Sequence, residues 1–260
     1  VKMRFRANYP YLTMCDLFRQ KHGTNPYQCF REMFKTCVTF NAVSRIETVP
    51  KNNQTDRMIT CVPLWDMVCQ LSLMYDMREH VKQKLNYDIA ILADLHKERL
   101  RDSNLATIDL KSASDTCSLG LIKTLWPNNV LKHLLDLRSS VASYREEPEY
   151  IHHFMMFSPM GTGLTFDVMT LTLLALLRDD PEASVFGDDI IISKSFCPKA
   201  FAILKAAGFI INTRKSFIEG KFRESCGGMY HEDIGYIKSY EIKYPTNIVD
   251  VINICNKLDE

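Results

Sequence analysis

Two aspartates, Asp188 and Asp189, stand side by side in the stretch SVFGDDIIIS, Ser184 to Ser193, between apolar runs. Isolated charges are costly beside buried strands, so the pair asks for a chemical reason. Carboxylates this close repel, and each becomes easier to protonate. A divalent cation reverses that balance by favouring the ionised form. Mg²⁺ takes one or two carboxylates and completes its shell with water and substrate phosphates. A second acidic cluster lies upstream, where Asp109 ends the run LATID and Asp115 follows in the small-residue loop KSASDTCS. If two neighbouring strand ends bring Asp109 beside Asp188, the set can hold two metal ions about 4 Å apart for in-line phosphoryl transfer. The competing readings are a solvated Asp-Asp turn and an N-cap role for Asp109.

Successive strand side chains point to opposite faces, so adjacent aspartates converge only at a hairpin tip. Gly187 supplies the backbone freedom such a tip needs, and the β-rich runs SVF and IIIS around Gly-Asp predict the hairpin. Residues 1–40 read as mostly helical, by the spacing of apolar residues in YLTMCDLFRQ and CFREMFKTCVTF. RIETVPKNNQTDRMI predicts short extended pieces around a polar loop. Residues 64–100 predict one or two amphipathic helices with Trp65, Val68, Leu71, Met74 and Tyr75 on one face. Residues 119–141 also read as helical, and another helix is expected in TFDVMTLTLLALLRDD after the glycine turn of FMMFSPMGTGL. PKAFAILKAAGF predicts a helix closed by Gly208. Strands with turns follow in KFRESCGGMYHEDIGYIKSYEI. The order implies an α/β or α+β layer, a small sheet with helices on one face.

The 260 residues suit one large domain or two modest ones, and 46% apolar content supports a core. Net charge is +1, yet its distribution is uneven. Residues 1–60 carry ten Lys/Arg against four Asp/Glu, 140–190 carry two against nine, and 194–223 carry seven against one. An acidic centre between basic flanks suits a site that holds cations and receives a polyanion; solvated surface charge is the plain alternative. Nine cysteines without CxxC spacing argue against zinc and for reduced thiols in a cytoplasmic compartment. No signal peptide and no long apolar run is visible, so neither secretion nor membrane spanning is expected. The chain begins at Val1, which suggests a fragment of a longer protein.

ATIDLKSASDTCS, MGTGLTF, FGDD, NTRKSF and FRESCGG occur in an order and spacing that resembles viral RNA-dependent RNA polymerases. TVPKNNQTDR and FRESCG make the chain most similar to replicase catalytic (beta) subunits of single-stranded RNA bacteriophages, the leviviruses. The resemblance spans roughly residues 43–245 and implies a right-hand polymerase. Residues 1–104 would be partial, mainly helical fingers with a basic loop for the arriving nucleotide. Residues 105–245 would be the palm, an α+β unit with a small antiparallel sheet and helices on one face, with an inserted fingers helix at about 119–157, and 246–260 the start of a largely absent thumb. The implied activity is RNA-directed RNA synthesis that copies a viral genome, with Mg²⁺ as two ions for which Mn²⁺ can substitute. By this resemblance Asp109, Asp188 and Asp189 are catalytic metal ligands, and Lys215 protonates the leaving pyrophosphate. Lys51, Arg57 and neighbouring Arg45 receive the nucleoside triphosphate; Gly161 and Gly163 open the template–nucleotide loop. Ser114, Asp115 and Thr165 are candidates for reading the ribose 2′-hydroxyl, and Arg223 for an RNA phosphate or for pairing with Glu224 or another acid. Phe186 stands where Tyr is more usual, keeping the ring, so activity is expected to survive.

The implied partners are RNA template and product, host translation factors and a ribosomal protein, in the cytoplasm of a bacterial host and with no membrane. A reverse transcriptase and a non-catalytic RNA-binding fragment are the alternatives. The first is separated by ribo- against deoxyribonucleotide extension, the second by recovering the flanking reading frame.

Overall fold

The computed structural model describes residues 3–5, 38–40, 43–51, 55–238 and 245–259. Strands β1 (Met3–Phe5) and β2 (Val38–Phe40) pair antiparallel. Both lie in the region expected to be helical; β-branched and aromatic residues at 38–40 favour the extended form. The rest of that expectation, and residues 52–54 of the polar loop, fall outside the described residues.

Strands β3 (Ser44–Pro50) and β4 (Asp56–Cys61) form the expected extended pair. Helix α1 (Leu64–Leu85) and helix α2 (Leu92–Arg99) follow. On α1 only part of the expected apolar face is inside: Met74 is buried, whereas Val68, Leu71 and Tyr75 are exposed, Tyr75 at 67%. The side chain of Trp65 falls outside the described residues.

Next come β5 (Leu105–Ile108), β6 (Leu110–Lys111), the short α3 (Ala113–Thr116), α4 (Leu119–Leu125) and α5 (Asn128–Leu137). The helical insertion expected at 119–157 ends at Leu137. Beyond it, β7 (Val141–Tyr144) runs parallel to β3, and β8 (Ile151–His153) pairs antiparallel with β7. Proline and charged residues between them make the turn, and β7 gains a ladder partner in β3 that a sequence pattern cannot display. The sheet order is β4-β3-β7-β8.

Helix α6 (Thr165–Leu176) is apolar nearly all round and buried accordingly. Its Thr170 and Thr172 hydroxyls donate back to the carbonyls of Phe166 and Val168, so neither is left unpaired. Then β9 (Ser184–Phe186) and β10 (Asp189–Ser193) make the expected hairpin. Buried Asp180 ties down its base, accepting from the Ser193 amide and hydroxyl, each at 2.7 Å. Helix α7 (Cys197–Ala206) ends as expected at Gly208, with φ of +93°. The Phe209 amide donates to the Leu204 carbonyl and the Gly208 amide to that of Lys205, the paired bonds of a Schellman cap. Strands β11 (Ile210–Ile211), β12 (Phe222–Ser225), β13 (Gly228–His231), β14 (Gly235–Ile237) and helix α8 (Ile248–Asp259) complete the described chain.

The central sheet has the order β5-β10-β9, all antiparallel. Ile190, Ile191 and Ile192 are all fully buried. Since alternate residues face opposite ways, both faces of β10 are covered. Ile190 and Ile192, with Ala106 and Ile108 of β5, join the main core under α4, α5, α6 and α7. Burying each such isoleucine contributes about 1.5–3 kcal/mol. The opposite face is covered by α2 and by β12, which touch β9, β5 and β10. The expectation of helices on one face is therefore corrected: a helix and a second sheet close the other face. The sheet's edges are also occupied. Phe217 bridges Thr107 on the β5 side. On the β9 side the Tyr87 phenol donates to the Val185 carbonyl at 2.9 Å and accepts from its amide at 2.8 Å.

Candidate active site

The hairpin turn consists of Gly187 and Asp188, while Asp189 is the first residue of β10, opposite Phe186. The two aspartates thus do not share the tip; Asp188 is exposed there and Asp189 is half-buried behind it. Gly187 holds φ at +67°, and a Cβ there would stand 2.6 Å from Cε2 of Phe166. Its amide donates to the Thr170 hydroxyl at 2.9 Å. Phe166 meets Phe186 edge-on, ring centroids 4.7 Å apart. Helix α6 therefore forms the seat on which the turn rests.

Asp109 lies at the end of β5, beside β10. A segment from β11 to Phe217 runs antiparallel alongside it. Ile210 and Ile211 pair with Lys111 and Leu110, and Phe217 exchanges both backbone bonds with Thr107. Between these anchors, residues 212–216 turn outward opposite Asp109. The Asn212 amide donates to the Asp109 carbonyl at 2.9 Å, and its side-chain Nδ2 donates to Asp109 Oδ2 at 2.6 Å. The Ser216 hydroxyl accepts from the Asp109 amide at 3.2 Å. Burial pushes the Asp109 carboxyl above its ordinary pKa and the charge of Asp188 adds to the rise; the Asn212 bond, Lys215 and Lys51 oppose it. The strand ends thus bring Asp188, Lys215 and Lys51 within electrostatic reach of Asp109.

Asp189 is pushed up to about 6, first by burial and then by Asp188, with a smaller contribution from Asp109. Hydrogen bonds from the Cys226 amide and thiol oppose the rise. Cys226 and Gly227 form the turn between β12 and β13, with φ of +51° and +72°, the pairing of a type I′ hairpin. Behind this turn, fully buried His96 of α2 binds the Ser225 hydroxyl through Nδ1 at 2.9 Å and the Ser184 hydroxyl through Nε2 at 2.8 Å. Burial lowers the His96 pKa to about 4, so the ring is neutral at ordinary pH.

Basic residues line the β3–β4 pair. Arg57 stands opposite Val49, and the Lys51 amide binds the Thr55 carbonyl at 3.0 Å. By the alternation of strands, Arg45, Lys51 and Arg57 occupy one face of the pair. Lys51 and Arg57 are exposed; Arg45 is half-buried, with Glu47 at 3.7 Å. The glycine loop docks on the edge of β4, where the Thr60 amide donates to the Met160 carbonyl at 2.7 Å. Gly161 has φ of +92°, and a Cβ there would meet the Thr60 carbonyl at 2.7 Å. The Gly163 amide donates to Gln70 Oε1 at 2.9 Å, and Gln70 Nε2 donates to the Leu137 carbonyl. Both glycines thus serve close backbone packing of the loop against β4 and α1.

Two expected roles do not match the geometry. Arg223 is only 1% exposed; Nε donates to the Leu100 carbonyl at 2.7 Å and Nη2 to Glu232 at 3.0 Å. It anchors the second sheet by pairing with another acid, the second of its two expected readings, and its burial speaks against an RNA phosphate contact. Thr165 is held within its own loop, bonded to Thr162 and Ser158 and donating to the Pro159 carbonyl at 2.6 Å. Ser114 is buried and Asp115 exposed on α3, where the Ser114 hydroxyl lies 3.5 Å from the Asp115 carboxylate. Residues the sequence reading passed over include Asn212, Cys226, His96 and the Arg78–Asp167 pair, bidentate at 2.6 and 3.0 Å across α1 and α6. Asn212 and Cys226 sit inside NTRKSF and FRESCGG, but nothing in those strings says which aspartate each meets.

Among the described residues, no three His, Cys, Asp or Glu side chains by themselves form a group that could hold a metal ion. The donors at hand are nevertheless hard oxygens, and Asp109 and Asp189 are pushed toward protonation by burial and by neighbouring carboxylates. That chemistry fits a divalent cation held by a few carboxylates and completed by phosphate oxygens.

The family model for RNA replicase, beta-chain, matches residues 11–260. The RNA-directed RNA polymerase subunit beta of Escherichia virus Qbeta is 36% identical over 220 residues, covering 79% of this chain and 37% of its own length. The RNA-directed RNA polymerase beta chain of Enterobacteria phage fr is 32% identical over 251 residues, covering 92% of this chain and 45% of its own. The chain therefore spans less than half the length of these relatives. Among solved structures, the RNA-dependent RNA polymerase of a human picobirnavirus superposes with a TM-score of 0.54 at 11% identity, over 74% of this chain and 43% of that one. A foamy viral protease-reverse transcriptase bound to double-stranded DNA gives 0.51 at 18% identity, over 100% of this chain and 42% of that one. Both share the fold, so the fold alone does not choose between RNA and DNA synthesis.

Proposed function

The chain belongs to the RNA replicase beta-chain family, and from that membership we propose that it carries the catalytic centre of an RNA-directed RNA polymerase. The observation that carries this reading is the convergence of Asp109, Asp188 and Asp189 at adjoining strand ends, with Lys51 and Lys215 acting on Asp109. In this reading residues 105–245 are the palm. Residues 1–104 are partial fingers, joined by strands β7 and β8, and 246–260 begin the thumb. The substrates are an RNA template and nucleoside triphosphates, inside a bacterial host.

Asp109 and Asp188 would hold Mg²⁺, or Mn²⁺ in its place, with Asp189 in support. The bound ions supply activation of a 3′-hydroxyl and neutralise charge on the departing pyrophosphate. Lys51 and Arg57, on one face of their strand pair, receive the triphosphate; Arg can grip it bidentately. Lys215 stands on the turn beside Asp109, where a cation and a proton favour the leaving pyrophosphate. Little covalent work falls to the side chains, so positioning and charge dominate. The rigid seat of the Gly187 turn supplies the positioning.

The reverse-transcriptase reading is favoured by the shared fold alone, and the sequence relatives point to RNA synthesis. The test is extension of an RNA template by a complete replicase carrying this segment. We expect incorporation of ribonucleotides with Mg²⁺ and its loss, over at least two orders of magnitude, in Asp188→Asn with unchanged circular dichroism. A folded Asp188→Asn that extends normally removes the assignment. Preference for deoxyribonucleotides moves it to reverse transcription.

A further inference from the structure

We propose that Asn212 is a positioning residue for nucleotidyl transfer, fixing the orientation of the Asp109 carboxylate and tying the turn that bears Lys215 to it. This rests on the reading of Asp109 as a metal ligand. The geometry is specific. An Asn in a turn ordinarily bonds its own backbone a residue or two away. Here Nδ2 instead reaches across to Asp109 Oδ2 at 2.6 Å, while the backbone amide holds the Asp109 carbonyl at 2.9 Å. Two bonds from one residue fix both the main chain and the side chain of Asp109. The amide occupies Oδ2 and leaves Oδ1 clear of it.

The same residue closes the turn, because its carbonyl accepts from the Lys215 amide at 3.0 Å. Ser216 and Phe217 then return the chain to β5. Lys215 is exposed on that turn and acts on Asp109 electrostatically. Asn212 is therefore the joint between an acidic ligand and the cation expected to serve the leaving group. Groups that orient metal-binding carboxylates typically change metal affinity or activity by about 10–100-fold when removed.

The experiment measures Mn²⁺ binding to this chain by electron paramagnetic resonance, alongside thermal unfolding and Mg²⁺-dependent extension in a complete replicase carrying the segment. Asn212→Ala should weaken Mn²⁺ binding about tenfold and raise the Mg²⁺ concentration for half-maximal turnover, leaving the nucleotide KM nearly unchanged. Thr213→Ala, an exposed neighbour, should do neither. Should Asn212→Ala fail to fold, the unmutated chain serves: its Asn212 side-chain amide resonance should shift on Mg²⁺ addition, and Asp109→Asn should abolish that shift. Normal Mn²⁺ binding in Asn212→Ala where Asp109→Asn has lost it, or an amide resonance indifferent to Mg²⁺ in a chain that binds the ion, overturns the proposal and leaves the metal reading standing. A chain that binds no Mn²⁺, or an Asp109→Asn that binds it normally, overturns the metal reading itself and this proposal with it.

Discussion

Gly187 makes the turn into Asp188 possible by its lack of a side chain. At φ of +67°, with the Phe166 ring 2.6 Å from where a Cβ would be, alanine meets strain and a clash together. Gly187→Ala is expected to cost about 1–3 kcal/mol, read by chemical denaturation. Truncating the obstacle in Gly187→Ala/Phe166→Leu should recover part of that loss. Additive costs in the double variant would show that the ring is not the obstacle. The neighbouring carboxylates illustrate a different constraint. Asp189 is half-buried behind the exposed Asp188 and takes two bonds from Cys226. The residue adjacent in sequence is thus the one held by the second sheet, while Asp188 is felt by Asp109.

At the scale of elements, helix α2 joins two sheets through one imidazole. His96 bridges Ser184 of β9 and Ser225 of β12, and burial holds its pKa near 4. In the unfolded chain the ring titrates near 6.5. Between about pH 6.5 and pH 4 the unfolded state therefore takes up a proton that the folded state refuses. This residue's share of stability is full above that window and falls as pH drops through it. Denaturation at several pH values should show a shallower dependence in His96→Asn than in the parent. Parallel slopes would leave His96 without this role. Because His96 reaches both the strand before Asp188 and the turn that holds Asp189, loss of the bridge should also loosen the acidic centre.

Across the whole molecule, basic residues flank an acidic middle, seven Lys/Arg against one Asp/Glu in 194–223. RNA should bind these flanks through its phosphates, with log affinity falling against log salt at about −0.7 per phosphate on single strands. Arg223 lies within that stretch but is buried on Leu100 and Glu232, so Arg223→Lys should change stability and not the salt slope. Salt-insensitive binding would argue against a template channel. Much of this layout was legible in the sequence. β-rich runs around Gly-Asp gave the hairpin, and Gly208 marked the end of α7. The strands at 141–153 were not legible, because β3, the partner on which β7 is laid, lies about a hundred residues upstream. The bonds of Asn212 to Asp109 and of Cys226 to Asp189 were hidden for the same reason: they join segments that only the fold makes neighbours.

The Tyr87 phenol has a further consequence. It engages both backbone groups of Val185 on the outer edge of β9, the place where another strand would add. An open edge of this kind is a template for self-association. A single ring thus acts as a stopper on the edge of the sheet that carries the aspartates. Tyr87→Ala should expose that edge and turn a dispersed protein into one whose light scattering grows with concentration, whereas unchanged scattering would show that the edge is guarded by something else.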